Sequence, residues 1–251
     1  MVFLAAFFGV AIWESLRPLQ PLNASPSRRW GNHALLFAAA ALLQTVFVRL
    51  IPVGAASLMQ GYRFGLLNQG NFPFAFQCLL TILVLDLLQY WTHRTFHSYF
   101  ALWRVHEVHH SDPDYDVSTS ARFHPLEVLL PQALRVLTVI VLGAPALAVL
   151  IDQAIGMMFN FAEHANAAFP PRVEALVRKV FITPDLHRIH HSQDQAEQSS
   201  NFGQIFSFWD RLFGTFRPQA NTWPIVTGVK SQYAAASTIR GLLSAPFAPR
   251  K

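Results

Sequence analysis

The sequence has few charged residues and almost no cysteine, and each scarcity excludes a class of protein. Only 13% of its 251 residues are charged, against roughly 25% in ordinary soluble domains. Its one cysteine, Cys78, lies in an apolar run, so an intrachain disulfide framework is excluded. Basic residues form no run longer than two despite a net charge of +5, which argues against a nucleic-acid-binding patch.

Apolar residues, by contrast, make up 52% of the chain. Long apolar stretches of about 18 residues or more are typical of helices that span a bilayer. The first stretch lacks the basic leader and small-residue cleavage site of a signal peptide, so we expect a retained anchor. We predict an all-α integral membrane helical bundle that forms a single domain over residues 1–251, with membrane helices at about residues 2–16, 34–51, 72–92, 126–142 and 145–162.

The last two stretches are joined by the letters GAP at residues 143–145, which predict a helix-ending turn. Arg135 lies nine residues before Ala144 and Asp152 eight residues after it, so the two charges stand nearly level in a helical hairpin. An unpaired charge at membrane depth costs about 2.5–3.5 kcal/mol on insertion scales. We therefore predict an ion pair; the alternative is a shallow hairpin in which each charge reaches the interface alone.

The basic residues also predict an orientation. Residues 17–33, 94–125 and those beyond 167 hold 16 of the 19 basic residues, and the positive-inside rule places these segments in the cytoplasm. We therefore expect a cytoplasmic, histidine-rich helical cap formed by residues 93–125 and 164–217, followed by a tail at 218–251. The final letters APRK carry no retention signal, from which we expect a bacterial inner membrane.

Eight of the eleven histidines fall in three motifs, HRTFH at 93–97, HEVHH at 106–110 and HRIHH at 187–191. Spacings of three and four place each set on one helix face, and TPD before the third motif predicts a helix start with Thr183 as N-cap. Without metal, packed imidazoles would leave buried donors unpaired and would repel on protonation. The motifs therefore predict a metal site.

Three histidines lie outside the motifs. His124, in RFHP, and His164, in NFAEHAN, arrive at the same membrane face as the motifs, and we predict both as additional ligands. His33 has no partner in its sequence neighbourhood and is not predicted to bind metal.

The number of imidazoles bears on the number of metal ions. Zinc takes three or four protein ligands, so eight or more histidines favour two ions of higher coordination number. Imidazole suits iron, zinc, copper and nickel alike, which leaves the metal open. One alternative function is a zinc-dependent membrane hydrolase with Glu107 as general base; another is a metal transporter, which would need ligands distributed through the membrane spans.

Ligating imidazoles usually donate their second nitrogen to an oxygen, and four residues are placed to accept or assist, namely Asp86, Glu107, Asn160 and Asp185. The acidic turn of Asp112, Asp114 and Asp116 is interpreted as solvated. We expect a route from the bilayer to the site to be lined by four aromatic residues, Trp91, Phe96, Phe100 and Trp103.

The motifs and their surroundings are similar to a known family. The letters DLLQYWTHRTFH, LWRVHEVHHS, RFHPLE, TPDLHRIHHS and NFGQIFSFWDRLFGTF occur in this order between about residues 80 and 217. This ordered set resembles the fatty acid hydroxylase and sterol desaturase superfamily of membrane oxygenases.

The resemblance implies an all-helical, membrane-bound di-iron oxidoreductase that uses dioxygen and two electrons to hydroxylate or desaturate a lipid C–H bond. Because no haem domain is fused to the chain, we expect a separate electron-donor protein. No catalytic residue is expected beyond the metal ligands, and sterol, fatty acyl, carotenoid and alkyl ether substrates all remain open. The resemblance implies ten ligands: His93, His97, His106, His109, His110, His124, His164, His187, His190 and His191.

Overall fold

A computed structural model of the chain describes residues 2–47, 52–229 and 238–249. Within these ranges the chain forms twelve α-helices and no β-strand, and its extended pairing consists of two isolated bridges, Phe181 with Phe206 and Ser192 with Thr227. The all-α prediction is confirmed.

Six helices carry the apolar part of the chain. They are α1 (Val2–Leu16), α2 (Pro26–Phe47), α3 (Pro52–Gly61), α4 (Phe74–Ser98), α6 (Leu129–Leu142) and α7 (Ala146–Glu163). The sequence analysis did not predict α3, and it placed the start of α2 eight residues too late. The end predicted for that helix, residues 48–51, lies outside the described residues.

Two of these helices, α4 and α7, are long and apolar enough to cross a membrane. Only 22% of the most apolar window of each is buried within the protein, and Leu79 on α4 and Leu150 on α7 are at least half exposed. A core helix of a soluble protein would bury such residues, so these outward apolar faces indicate a membrane protein. That α1, α2 and α6 also cross the bilayer stays a prediction.

The hairpin of α6 and α7 forms as its sequence predicts. Helix α6 ends at Gly143, which adopts the left-handed conformation with φ of 67°, and Pro145 caps the start of α7. A glycine suits this position because side chains rarely tolerate positive φ. The Arg135 guanidinium donates to the Asp152 carboxylate across the hairpin, so the predicted ion pair is confirmed.

Shorter helices assemble at the end of α4 and α7 that carries the histidines. They are α5 (Phe100–His110), α8 (Pro171–Val177), α9 (Pro184–His190), α10 (Gln195–Gln198), α11 (Phe208–Leu212) and α12 (Ile239–Ser244). Thr183 caps α9 by accepting a hydrogen bond from the Leu186 amide, which confirms the predicted start of this helix. The three histidine motifs therefore sit on α4, α5 and α9.

Candidate metal centre

Five histidines form the first of two groups. His93 and His97 come from the last turns of α4, and His106 and His110 from the last turns of α5. The fifth, His190, ends α9. One nitrogen from each ring lies within 4.8 Å of one nitrogen of every other ring. We call these residues the five-histidine group.

Four further histidines form a second set beside it. His109 belongs to α5, His164 follows α7, His187 lies on α9 and His191 caps the end of α9. Their candidate ligand nitrogens also lie within 4.8 Å of one another. We call these residues the four-histidine group. The rings of His110 and His191 stack with centroids 4.3 Å apart, so the two groups are in direct contact.

Helical spacing explains how each motif is divided between the groups. In HEVHH, the i, i+4 pair His106 and His110 points to the five-histidine group, whereas His109 points to the other. In HRIHH, the i, i+4 pair His187 and His191 serves the four-histidine group. All three histidines of a motif lie on one broad side of the helix, but the adjacent residues, His109 with His110 and His190 with His191, point about 100° apart around the axis, so each motif contributes to both groups.

Hydrogen bonds on one side of the rings fix which nitrogen faces inward. The Nδ1 atoms of His93 and His190 donate to the carbonyls of Phe202 and Ser200 at 2.9 and 2.8 Å. His106 Nδ1 donates to the Glu127 carboxylate at 2.6 Å. In these neutral rings the proton resides on Nδ1, so Nε2 presents its lone pair.

The inward nitrogens are what a metal would use. The buried Nε2 atoms of His93, His97, His190 and His191 have no hydrogen-bond partner in the described part of the chain. Other Nε2 atoms face one another at 3.2 Å, as in His106 with His110 and His109 with His164. Buried polar atoms are rarely left without partners, so this arrangement of donors fits bound metal ions.

The surroundings also keep the imidazoles neutral. Burial lowers the pKa of His106 to about 3 and that of His164 to about 3. Burial, followed by the neighbouring histidines, holds the pKa values of His109 and His191 well below the ordinary value. Neutral imidazole is the form that binds metal, so the rings are ready to act as ligands at neutral pH.

A small cavity of about 80 Å³ borders both groups. His93 and His106 line it from the five-histidine group, and His109, His164 and His187 line it from the other. Two buried carboxyl groups, those of Glu127 and Glu163, also line the cavity. Each has one oxygen without a hydrogen-bond partner among the described residues. The cavity gives a small reactant access to both sets of rings.

His124 is the predicted ligand that the structure does not bring to either group. Its Nδ1 accepts a hydrogen bond from the Leu126 amide at 3.2 Å, and its Nε2 lies 3.2 Å from the Leu243 carbonyl. Both nitrogens therefore have backbone partners. The same RFHPLE segment instead brings Phe123 and Glu127 to the small cavity, and sequence reasoning missed both.

The four residues predicted to orient the rings have different positions. Asn160 acts through its backbone, because its carbonyl accepts from His164 Nδ1 at 2.7 Å. Asp86 instead binds the amides of Ile205 and Phe206 at 3.1 and 3.2 Å, which holds the segment whose Phe202 carbonyl accepts from His93. Glu107 is buried on α5, and Asp185 lines a separate cavity with Glu174 and Arg178.

Gly203 allows the loop after Phe202 to pack closely against the Phe206 carbonyl and the Asp210 carboxylate. A Cβ at Gly203 would lie 2.7 Å from the Phe206 carbonyl and 3.0 Å from the Asp210 carboxylate. Asp210 accepts hydrogen bonds from the Phe202 and Gly203 amides at 2.8 and 2.9 Å. The loop is therefore fixed by two aspartates, Asp86 and Asp210, on opposite sides.

The interpretation of the acidic turn as solvated was wrong. Asp112, Asp114 and Asp116 are all buried, and the Arg29 guanidinium donates to Asp112 at 2.8 Å and to Asp116 at 2.7 Å. Asp114 accepts from the Asn23 amide at 2.8 Å. These contacts fasten the segment after HEVHH to α2, and they join positions more than 80 residues apart in the chain.

His33 also has partners that its sequence neighbourhood did not show. Arg122 donates to His33 Nε2 at 2.8 Å, and His33 Nδ1 lies 2.8 Å from the Ser118 hydroxyl. Both ring nitrogens are thus engaged, and His33 lies in neither histidine group. Its place is in the buried network that joins α2 to residues 112–122.

The four aromatic residues predicted to line a route to the site do not lie along one route. Phe96 lines the small cavity, and the ring of Trp103 lies 5.0 Å from that of His97. Trp91 contacts Phe213 and is partly exposed, and Phe100 is 62% exposed. Of the four side chains, Phe96 is the one that borders the cavity at the histidines.

The fatty acid hydroxylase family model matches residues 78–215, which is more than half of the chain and includes both histidine groups. The chain belongs to the fatty acid hydroxylase family. Members of this family are known as iron-dependent monooxygenases, and relatives of this chain include lipid monooxygenases and hydroxylases, which are oxidoreductases.

Several family members are similar to this chain. Ornithine lipid hydroxylase OlsE of Rhizobium tropici is 28% identical over 96% of this chain and 76% of its own length. Alkylglycerol monooxygenase of Danio rerio is 29% identical over 57% of this chain, which spans only 31% of that relative. Methylsterol monooxygenase 2-2 of Arabidopsis thaliana is 25% identical over 55% of this chain and 52% of its own length. No solved structure matches the chain.

Proposed function

We propose that the protein is a di-iron enzyme that uses dioxygen to hydroxylate or desaturate a C–H bond of a lipid. The observation that carries this proposal is the division of nine histidines, seven of them buried and two partly buried, into two contacting groups with inward Nε2 atoms. One zinc ion would use at most four of them. Two ions of higher coordination number use them all.

The nine histidines would hold the two ions, with His93, His97, His106, His110 and His190 on one and His109, His164, His187 and His191 on the other. When bound, two reduced iron ions supply the power to activate dioxygen for attack on an unactivated C–H bond. The chain supplies the binding and the orientation. Glu127 and the carbonyls of Phe202, Asn160 and Ser200 hold the rings in place.

The protein surroundings also exclude water from the reaction. All nine rings are at least partly buried, and the cavity that borders them has a volume of only about 80 Å³. A space of this size would hold little water beside a bound lipid, so the surroundings would shield the reacting groups from solvent. Phe96 and Phe123 give this cavity an apolar part of its lining, which suits a lipid chain.

The relatives support a lipid substrate, since those named above are an ornithine lipid hydroxylase, an alkylglycerol monooxygenase and a methylsterol monooxygenase. We further propose that residues 1–251 act as one membrane domain with its metal centre in a cytoplasmic cap, in a bacterial inner membrane. A separate electron-donor protein would dock from the cytoplasm. Support for this orientation comes from the 16 basic residues assigned to that side.

The proposal is tested with detergent-purified protein supplied with a lipid mixture, a chemical reductant and isotopically labelled dioxygen. We expect consumption of dioxygen that depends on both lipid and reductant, with labelled oxygen in a hydroxylated lipid or loss of two hydrogens from a desaturated one. A zinc-loaded protein that cleaves a lipid ester or amide without dioxygen would overturn the proposal in favour of a hydrolase.

A further inference from the structure

A second and larger cavity, of about 400 Å³, adjoins the cavity at the histidines. It is lined by residues of α1, α4, α6 and α7, by Phe123 and by the loop at residues 204–205. The two cavities share four lining residues, Gln89, Phe123, Asn160 and Gln204. The side chains of these four residues therefore lie between a molecule in the larger cavity and the candidate metal centre.

The lining of this larger cavity is largely apolar, but a group of polar side chains lies on one part of it. It includes the Arg135–Asp152 ion pair together with Gln132 and Gln153, all of which come from the hairpin of α6 and α7. A hydrocarbon chain alone would exclude water from this part of the lining and would offer no hydrogen bond to the N–H groups of Arg135 that Asp152 does not use, which is costly. Ionisable residues at membrane depth commonly mark binding sites or pathways.

The ion pair has capacity left for a ligand. A guanidinium has five N–H donors, and the hydrogen bond to Asp152 uses one of them. The Arg135 side chain keeps 15% of its surface exposed, whereas Asp152 keeps 3%. Because the two charges balance each other, the pair favours a neutral group that both accepts and donates over an ion.

We propose that the cavity binds the lipid through a neutral hydrogen-bonding group, a hydroxyl or an amide, which contacts the Arg135–Asp152 pair and the glutamines beside it. The rest of the lipid extends past Gln89 and Asn160 toward the histidines. Asp152 precedes Asn160 by eight residues, which is about 12 Å along a helix. The carbon that is oxidised therefore lies far from the polar group of the lipid. Binding of that polar group at the ion pair would determine which carbon reaches the histidines.

The chemical nature of this substrate class rests on the proposed function, but binding does not require turnover. We would measure the affinity of the detergent-purified protein for hexadecanol, hexadecanamide, hexadecane and palmitate, with and without bound metal. The alcohol and the amide are expected to bind about tenfold more tightly than the alkane, as a hydrogen bond of about 1.4 kcal/mol would give. Equal affinities for all four lipids would overturn the proposal.

The variant Arg135→Met/Asp152→Leu removes both charges together, so neither is left buried without its partner. It should lose the preference for the alcohol and amide over the alkane, whereas Leu137→Ala, at an exposed position of α6, should keep it. A preference that persists without the ion pair would contradict the proposal. The ratio of the affinity for the alcohol or amide to the affinity for the alkane is decisive. If the ion pair had only a structural role, its removal would not change this ratio.

If the double variant does not fold, Gln132→Leu/Gln153→Leu keeps the ion pair and still tests the cavity. We expect the preference to fall several-fold, and an unchanged preference would overturn the proposal. Iron content and dioxygen consumption are measured separately on the same preparations. Failure of those two with an intact lipid preference would refute the enzyme proposal and leave this binding site standing.

Discussion

The two histidine groups differ in number of rings and in their relation to the nearest carboxylate. The five-histidine group has Glu127 hydrogen-bonded to the outer nitrogen of His106 at 2.6 Å. The four-histidine group has Glu163 beside it, 3.9 Å from His164 Nδ1 and 4.0 Å from His187 Nε2. Glu127 orients a candidate ligand, whereas Glu163 lies near the outer nitrogen of His164 and the inner nitrogen of His187 at distances too long for a hydrogen bond.

The difference in the number of rings indicates which of the two groups would leave a coordination position of its ion open. Catalytic metal sites keep a coordination position open, whereas closed sites are structural. The four-histidine group has one ring fewer, and three of its rings line the small cavity. The four-histidine group is therefore better placed to expose a bound ion to a reactant. The five-histidine group offers an ion one more imidazole ligand.

Removal of one ring should separate the groups most strongly. His187→Ala leaves three rings in the four-histidine group, whereas His97→Ala leaves four in the other. We expect His187→Ala to lose roughly half of the bound metal and more than about 100-fold in activity, since removing a ligand exceeds the 10–100-fold cost of losing an outer-shell partner. His97→Ala should retain most of its metal.

Metal content measured after dialysis checks this prediction, with His124→Ala as a matched control because His124 lies in neither group. His124→Ala should keep its full metal content. Equal metal loss from His97→Ala and His187→Ala would break the proposed distinction between the groups.

The two carboxylates should differ in the same assay. Glu127→Gln replaces the carboxyl group that pairs with His106 Nδ1, and we expect a 10–100-fold loss of metal affinity or activity. Glu163→Gln should cost less, because His164 Nδ1 already donates to the Asn160 carbonyl. Chelator competition measures both affinities, and a larger loss in Glu163→Gln would assign the ligand-orienting role to Glu163 instead.

Acid should destabilise the metal-free protein through the same rings. His106 and His164 have pKa values of about 3 when folded, against about 6.5 in an unfolded chain. Between pH 6.5 and 3 the unfolded chain therefore binds more protons, and the free energy of unfolding falls as the pH falls. Thermal unfolding at pH 7.5 and 5.5 checks this, and equal stability at the two values would contradict it.

The smallest expected effect concerns the helix that serves both groups. Thr183 caps α9 and also donates to the Glu174 carboxylate at 2.6 Å. Thr183→Ala should lower the free energy of unfolding by about 1–2 kcal/mol, as loss of an N-cap does. Chemical denaturation checks this value, with the exposed Thr222→Ala as control; an equal loss in both variants would show that the cap does not matter.

Local spacing was enough to predict much of this site. The i, i+3 and i, i+4 positions within each motif identified eight histidines, and the membrane-face argument added His164; all nine are brought together. The ion pair of Arg135 and Asp152 was also predictable, because the short GAP turn fixes the register of the hairpin. Features within one or two connected helices are accessible to such reasoning.

Contacts between distant parts of the chain were not accessible. Asp112 and Asp116 look solvated in sequence, but their partner Arg29 lies on α2, more than 80 residues away. In RFHPLE, the choice between His124 and Glu127 depends on the turn at residues 124–127, in which the Glu127 amide donates to the His124 carbonyl. The carbonyls of Phe202 and Ser200, which orient His93 and His190, carry no side-chain signal at all.

The most direct test of the central claim is the metal content and Mössbauer spectrum of detergent-purified protein from cells grown with enriched iron. The proposal predicts two iron ions per chain in a magnetically coupled pair, with two distinguishable iron environments that reflect five and four imidazoles. A single tightly bound zinc ion that persists under iron-replete growth would contradict the di-iron assignment.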